Sequence, residues 1–408
     1  MTTKIEVLDA IMGSGKTLGI IKWMLANPNN KYLYISPMLT EVEQRIPEAC
    51  EALEFTFPTT EEHKTKSLHL LELLAEGCNI SFTHSLFSEL SKKHLEQIAR
   101  HNYVLIIDEE VSLIEPYQGK YKKGDIISLE EAGHIKVDED NLGKVEWLWK
   151  EMSEDTQYSG LQRLCSIDML YCSKRNREMM VTQLPMSLVE SSKRTIILSY
   201  LFKGSVMESF LKLKGIEVVD FTEVELLKDT KQVMLEAREL ITLCSTTATN
   251  AVKNYSMSST WYSTTANKDQ LKKLSSAIRS VYRKAGKDDL LLTLPKDNAS
   301  RESKRSVVHP NINLEGVFLY CGARATNDYA SKSVALHAYN RYVNLVVKSY
   351  LQDYGLELDA IPDDDQFALS EMIQWIWRTR IRENEPIDLY ILPKRMESLF
   401  KQWLYTCV

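Results

Sequence analysis

Along the chain, short apolar runs alternate with stretches whose apolar residues recur at helical spacing. Ile5-Glu6-Val7-Leu8 reads as a short β strand, and Leu18, Ile21, Trp23, Met24 and Leu25 follow it as a helical pattern. Further runs of β type come at Tyr32–Ile35, Asn79–Phe82, Tyr103–Ile107 and Thr195–Leu198. A second set follows at Ile216–Phe221, Leu290–Leu294, Val317–Tyr320 and Asp388–Ile391, with helical patterns such as Tyr339–Tyr354 and Phe367–Ile381 between them. Strands alternating with helices predict an α/β chain built on parallel, doubly wound sheets. Two sets of runs predict two tandem α/β units, 1–202 and 203–408, divided near residues 203–215. A length of 408 residues suits two large domains.

The stretch 111–193 is too long for a simple connection between neighbouring strands. It carries the charged turn Gly119-Lys120-Tyr121-Lys122-Lys123-Gly124 and the pair Trp147 and Trp149, and we read it as an insertion in the first unit. Its lysines read as a solvated loop rather than a nucleic-acid contact. Trp147, Trp149 and Trp261 read as core aromatics rather than platforms for stacked bases.

Composition narrows the classes. Hydrophobic residues make up 44% and aromatics 9%, enough for sizeable cores. A net charge of −6 argues against a surface coated in basic residues, although a local basic groove is enough to neutralise several phosphates. The seven cysteines (Cys50, Cys78, Cys165, Cys172, Cys244, Cys321, Cys407) and eight histidines are scattered, without zinc-ligand spacing, and the cysteines read as reduced cytosolic thiols. No long apolar run or signal segment is present, so the expectation is a soluble cytoplasmic protein without a membrane partner.

The candidate chemistry begins between the first strand and the first helix. Ala10-Ile11-Met12-Gly13-Ser14-Gly15-Lys16-Thr17 has the strand–glycine loop–helix context of a phosphate-binding loop. Its backbone amides and the helix N-terminus would form an anion nest, with Lys16 reaching the β- and γ-phosphates and the Thr17 hydroxyl completing a Mg²⁺ shell. ATP and Mg²⁺ are the expected cofactors. Leu105-Ile106-Ile107-Asp108-Glu109-Glu110 is an apolar strand ending in acids, and ligand groups gather outside the carboxyl ends of such strands. Asp108 is expected to hold Mg²⁺ through water, Glu109 to polarise the attacking water, and Glu110 to be structural or coupling.

In the second unit, Asp363-Asp364-Asp365 precede a helical stretch, where acids complement a helix N-terminus. At about 100° per residue, Leu369, Met372, Ile373 and Ile376 share one face, and Gln374, Arg378 and Arg382 form a stripe on the other. Arg380 falls on the apolar side, so the helix is expected to end or bend there. Such a stripe is either a solvated basic face or a source of guanidinium groups for transition-state charge.

These residues carry a resemblance. Ala10 in place of the first glycine gives Ala-x-x-Gly-x-Gly-Lys-Thr, a form common in superfamily 2 helicases, and Gln374-x-x-x-Arg378 resembles the start of their motif VI. The usual second arginine of that motif is Ile381 here, which leaves Arg382 or Arg380, with Arg382 favoured by the stripe. Tyr34-Ile35-Ser36-Pro37 is similar to motif Ia and Ser81-Phe82-Thr83-His84 to motif Ib. Leu198-Ser199-Tyr200 stands where motif III would, without its Ser-Ala-Thr, and Cys321-Gly322-Ala323-Arg324-Ala325-Thr326-Asn327 resembles motif V. The overall pattern resembles small phage-encoded DEAD/DEAH-type helicases over nearly the whole chain.

The resemblance implies two tandem RecA-like P-loop domains with an insertion in the first. It implies nucleotide contacts from Ala10, Gly13, Ser14, Gly15, Lys16 and Thr17, Mg²⁺ contacts from Thr17 and Asp108, and catalytic roles for Lys16, Glu109, Gln374, Arg378 and Arg382. Nucleic acid would be met by Ser36, Pro37, Thr83, His84, Arg324 and Asn327. The implied activity is an ATP-dependent DNA helicase or single-stranded DNA translocase of replication, recombination or repair. Its partners would be single-stranded or forked DNA, with RNA the alternative, and replication or recombination proteins. An ATP-switched clamp or loader and a packaging-type motor ATPase are the competing readings, and a P-loop kinase fits least. Nine residues precede the loop, so no upstream adenine-reading glutamine motif is expected, and base selectivity would be relaxed or supplied elsewhere.

Overall fold

The first four strands are β1 (Lys4–Asp9), β2 (Tyr32–Ser36), β3 (Ile80–Thr83) and β4 (Val104–Asp108). Every residue of β2 is buried, as expected of strands covered on both faces. The computed structural model describes residues 4–406 apart from Glu62, Glu110, Lys120, Lys123, 151–156, Arg324, Ala325 and Asn327. The inserted stretch then adds β5 (Ile114–Pro116), β6 (Ile135–Asp138), β7 (Lys144–Trp147), β8 (Leu170–Cys172) and β9 (Met180–Gln183). These five form an antiparallel sheet of their own in the order β5-β9-β8-β7-β6. Ile126, Leu129, Ile135, Val145, Leu161 and Met180 are buried together on it, with Trp147 and Trp149 packed half-buried against them. The His134 ring stacks on Trp149 at 4.1 Å, and Trp147 Nε1 donates to the Trp149 carbonyl at 2.8 Å. The lysines of the charged turn at positions 120 and 123 lie outside the described residues.

β10 (Arg194–Ser199) and β11 (Glu217–Asp220) return to the first sheet, which is parallel throughout in the order β11-β1-β10-β4-β2-β3. The second parallel sheet holds β12 (Ile241–Leu243), β13 (Leu290–Thr293), β14 (Val334–His337) and β15 (Ile387–Ile391) in the order β12-β15-β14-β13. Its core includes Trp261, Tyr262, Leu274, Ile278, Leu290, Leu292 and Leu336. No helix among the described residues is long and apolar enough to cross a membrane.

The chain forms two compact units. One takes the residues up to Asp9, Thr17–Glu225 and Val343–Asp363, and the other takes Ala10–Lys16, Leu226–Tyr342 and the residues from Asp364 on. The division expected at 202/203 is therefore moved. The run Ile216–Phe221, expected in the second set, supplies β11, which pairs with β1 in the register Ile5↔Val218. The stretch 343–363 also belongs to the first unit: Val347, Tyr350 and Leu351 are buried in its core, and the Tyr350 hydroxyl donates to the Leu142 carbonyl at 2.6 Å.

Three element boundaries also differ from the apolar pattern. Val317–Tyr320 makes a single bridge, Leu292↔Phe318, rather than a strand. The helix expected from Tyr339 starts at Leu345, where the Asn344 side chain accepts from the Val346 amide at 2.8 Å. The helix expected to reach Ile381 spans Asp364–Ile376 and is followed by a short 3₁₀ turn, Arg380–Glu383.

Candidate nucleotide site

The carboxyl edge of the first sheet gathers polar residues in one row. The register sets Asp9 beside Ser199, Leu198 beside Asp108, Ile35 beside Ile107, and Ser36 beside Thr83. Asp9, Ser199, Asp108, Ser36 and Thr83 thus end five neighbouring strands at one level, the edge where open α/β sheets bind ligands. The Asp9 carboxylate accepts from the Phe202 amide at 3.0 Å and so holds the turn that follows β10.

Between β1 and the helix Lys16–Ala26, the glycine loop runs through two left-handed residues, Gly13 (φ +82°) and Gly15 (φ +91°). Residues with a Cβ avoid that region, which explains the glycines. Ser14 is fully buried between them, and its amide donates to the Ile11 carbonyl at 3.2 Å. Ala10, which occupies the place of the usual first glycine, is buried as well. The Lys16 ammonium donates to the Ala10 carbonyl, so it lies back across the mouth of its own loop. Thr17 is half-buried in the first turn of the helix.

The loop is counted with the second unit, and two features of that unit meet it. The amides of Leu227 and Lys228 donate to the Ser14 carbonyl at 3.0 and 3.3 Å. A Cβ on Gly15 would fall 2.8 Å from Leu227 Cγ, and one on Gly13 would lie 3.8 Å from Trp377 Nε1, the residue before Arg378. Leu227 and Trp377 escaped the sequence reading because neither is a phosphate-binding residue type.

The acidic strand end has its own support. The Tyr34 hydroxyl donates to Asp108 Oδ2 at 2.7 Å, and Tyr34 is fully buried. Burial, reinforced by the Asp108 carboxylate, pushes that hydroxyl well above the ordinary tyrosine range, so it stays a donor. Sequence reasoning named Tyr34 only as part of a motif, yet a signal existed. A tyrosine inside a fully buried run needs a partner for its hydroxyl. Tyr34 sits beside Ile106, which puts Asp108 two residues further on the neighbouring strand. His84 Nε2 donates to the Asp108 main-chain carbonyl at 2.9 Å. Glu109 adopts φ +63°, left-handed for a residue with a Cβ, at a cost of roughly 1–2 kcal/mol. Such strain collects at functional sites. Glu110 lies outside the described residues.

The nucleic-acid candidates fare differently. Ser36 is buried, because it ends a strand covered on both faces, and its hydroxyl accepts from the Met38 amide at 3.3 Å. The Ser36 hydroxyl thereby braces the turn that follows β2. The Thr83 side chain caps the short helix His84–Phe87, accepting from the Leu86 amide at 3.4 Å, and Pro37 is half-buried beside Ser36. Arg324 and Asn327 lie outside the described residues.

The stripe Gln374/Arg378/Arg382 does not form, because the helix stops at Ile376. The Thr379 hydroxyl donates to the Ile376 carbonyl at 2.7 Å and satisfies one of the last carbonyls of the helix. Gln374 stays in the last helical turn, where its Nε2 donates to Ser370 Oγ at 3.1 Å. Arg378 lies past the helix and is buried, 7% exposed, with its amide donating to the Trp375 carbonyl at 3.1 Å. Arg382 is exposed in the 3₁₀ turn. Arg380 is a tie rather than an apolar-face residue: its Nε donates to the Pro386 carbonyl at 2.6 Å.

A family model for the YonV C-terminal Rossmann-like domain matches residues 235–404. The chain is 29% identical, over 425 aligned positions and 98% of both chains, to the SPbeta prophage-derived protein YonV of Bacillus subtilis (strain 168). Among solved structures it is similar to Xpd4 of S. tokodaii, with a TM-score of 0.50 at 13% identity, over 98% of this chain and 94% of that one. A lower likeness, TM-score 0.28 at 10% identity, is to a hypothetical ATP-dependent RNA helicase from Sulfolobus tokodaii, over 98% of this chain and 90% of that one. The likeness to Xpd4 concerns the fold: this chain has a mixed α/β fold with two RecA-like α/β units, each built on a parallel sheet.

Proposed function

We propose that this protein is an ATP-dependent helicase or translocase acting on single-stranded or forked DNA, in replication, recombination or repair. The observation that carries the reading is the first sheet's carboxyl edge. A glycine loop with two left-handed residues leaves β1, and one strand beyond its neighbour a tyrosine-braced Asp108 ends β4. The residues fit a nucleotide with Mg²⁺. The amides of residues 13–17 and the Lys16 ammonium would hold phosphate oxygens, and Thr17 and Asp108 would hold the ion. Mg²⁺, when bound, supplies neutralisation of charge on the transferring phosphoryl group. Tyr34, bonded to one Asp108 oxygen, fixes the rotamer of that carboxylate. Glu109 would orient and polarise the water. Arg378, with Arg382 as second candidate, would stabilise transition-state charge, and Gln374 would act beside them.

Strand displacement on duplexes with 3′ and 5′ tails, run beside Lys16→Ala, tests the proposal. ATP turnover stimulated by single-stranded DNA, unwinding of one tailed duplex, and loss of both in Lys16→Ala are the expected results. Full turnover in Lys16→Ala would remove the phosphate-loop assignment, and equal rates with and without DNA or RNA would remove the helicase reading. A second reading, an ATP-switched DNA clamp, is favoured by the absence of Ser-Ala-Thr at Leu198-Ser199-Tyr200. DNA-stimulated turnover without displacement selects it.

A further inference from the structure

A second constrained polar cluster lies at the carboxyl edge of the second sheet. Arg341, four residues past β14, places its guanidinium among the rings of Tyr320, Tyr339 and Phe367 at 5.3, 5.5 and 5.3 Å. Its Nη1 donates to the Tyr320 hydroxyl at 2.8 Å and to the Cys321 carbonyl at 2.5 Å, and its Nη2 lies 3.0 Å from Glu371 Oε2 as an ion pair. The two side chains are 12% and 9% exposed. Two further bonds fix Cys321: its amide donates to Thr293 Oγ1 at 2.8 Å, and its thiol to the Glu371 carbonyl at 3.5 Å. Burial pushes that thiol up to about 12, so it remains protonated. Gly322 follows at φ +98°, and a Cβ there would fall 2.7 Å from Glu371 Oε2 and 3.3 Å from Arg341 Nη1. The backbone at Cys321-Gly322 is thus pressed directly onto the ion pair.

A buried pair of this kind is weak evidence for stability, since desolvation offsets much of the attraction and apolar replacements are often neutral. What it does supply is geometry. A planar guanidinium with several fixed donors orients its partners as neither a lysine nor an apolar side chain can. The partners here are the start of the segment resembling motif V and the helix Asp364–Ile376, on which Gln374 stands one turn after Glu371.

We propose that Arg341 and Glu371 are positioning residues that bind the Cys321-Gly322 turn to the helix Asp364–Ile376 as one body, so that nucleic acid held beyond that turn is coupled to ATP turnover. The inference rests on the helicase or translocase reading above. The test is the double variant Arg341→Met with Glu371→Leu, in which the aromatic cage keeps an apolar occupant. Thermal unfolding, ATP affinity, and ATP turnover with and without single-stranded DNA are measured. The expected result is unfolding and ATP affinity close to the parent, with DNA stimulation reduced about tenfold. Undiminished stimulation in the folded double variant overturns the proposal while leaving the helicase reading intact. Should the double variant not fold, Arg341→Lys replaces it. That variant retains the charge without the fork, its stimulation should fall severalfold, and parent-level stimulation overturns the proposal. A parent protein whose turnover ignores DNA overturns both readings at once.

Discussion

His337 offers a quantitative test of the second unit. It ends β14 with its side chain fully buried, its ring meeting Trp375 edge-on at 5.5 Å, and neither ring nitrogen has a hydrogen-bond partner among the described residues. Burial, and then the charge of Arg341, lowers its pKa to about 3. A histidine in the unfolded chain titrates near 6.5, so below that pH the unfolded state takes up a proton that the folded state refuses. The neutral ring therefore counts fully toward stability above about pH 6.5, and that contribution is lost as pH falls through the window from about 6.5 to about 3. Each pH unit inside the window costs about 1.4 kcal/mol, so the loss between pH 7 and pH 5 is about 2 kcal/mol. His337→Leu has no such proton site. The opening free energy of peptides spanning Val334–His337, read by hydrogen exchange at both pH values, provides the measurement. Subtracting variant from parent cancels the other titrating groups, and any constant packing difference drops out of the slope. The parent should lose about 2 kcal/mol more than the variant. Parallel pH dependences would refute a buried neutral imidazole at this position.

Two further changes address the nucleotide site. Tyr34→Phe removes the donor at 2.7 Å from Asp108 Oδ2. Because Asp108 is half-exposed and water can replace the lost bond, the effect should be about 1 kcal/mol, seen as a roughly fivefold higher Mg²⁺ requirement for ATP turnover. An unchanged Mg²⁺ titration would remove Asp108 from the metal shell. Arg378→Ala should abolish most turnover while leaving nucleotide affinity largely intact, and an effect confined to DNA binding would reassign Arg378 to the nucleic acid.

The parts legible in the sequence are those where local pattern and burial agree. β2 and β4 read as apolar runs because strands covered on both faces must be apolar, and the acid after such a run necessarily marks a carboxyl edge. Apolar runs do not name their partners, however. Ile216–Phe221 has the same pattern whether it joins the first sheet or the second, and only its pairing with β1 places it in the first. The insertion illustrates the opposite case. Its strands of three or four residues are too short to show a period, and the sheet is visible only through pairings such as Ile135↔Trp147.

The helix that carries Gln374 shows most clearly what periodicity leaves out. The spacing of Gln374, Arg378 and Arg382 satisfies a helical stripe, but a stripe exists only as far as its helix does. The hydroxyl of Thr379, bonded to the Ile376 carbonyl and fully buried, is part of the helix end and carries no signal in the apolar pattern. Ending the helix there separates two arginines that the stripe would treat as equals. Arg378 is buried and follows directly on Trp377, whose indole nitrogen lies beside the Gly13 position, whereas Arg382 is exposed one turn further on. A group that stabilises charge in a transition state must be held before the charge develops, and burial beside a fixed residue provides that better than an exposed turn does. The same argument ranks the two arginines for mutation: Arg378 should dominate turnover, and Arg382 should modulate it.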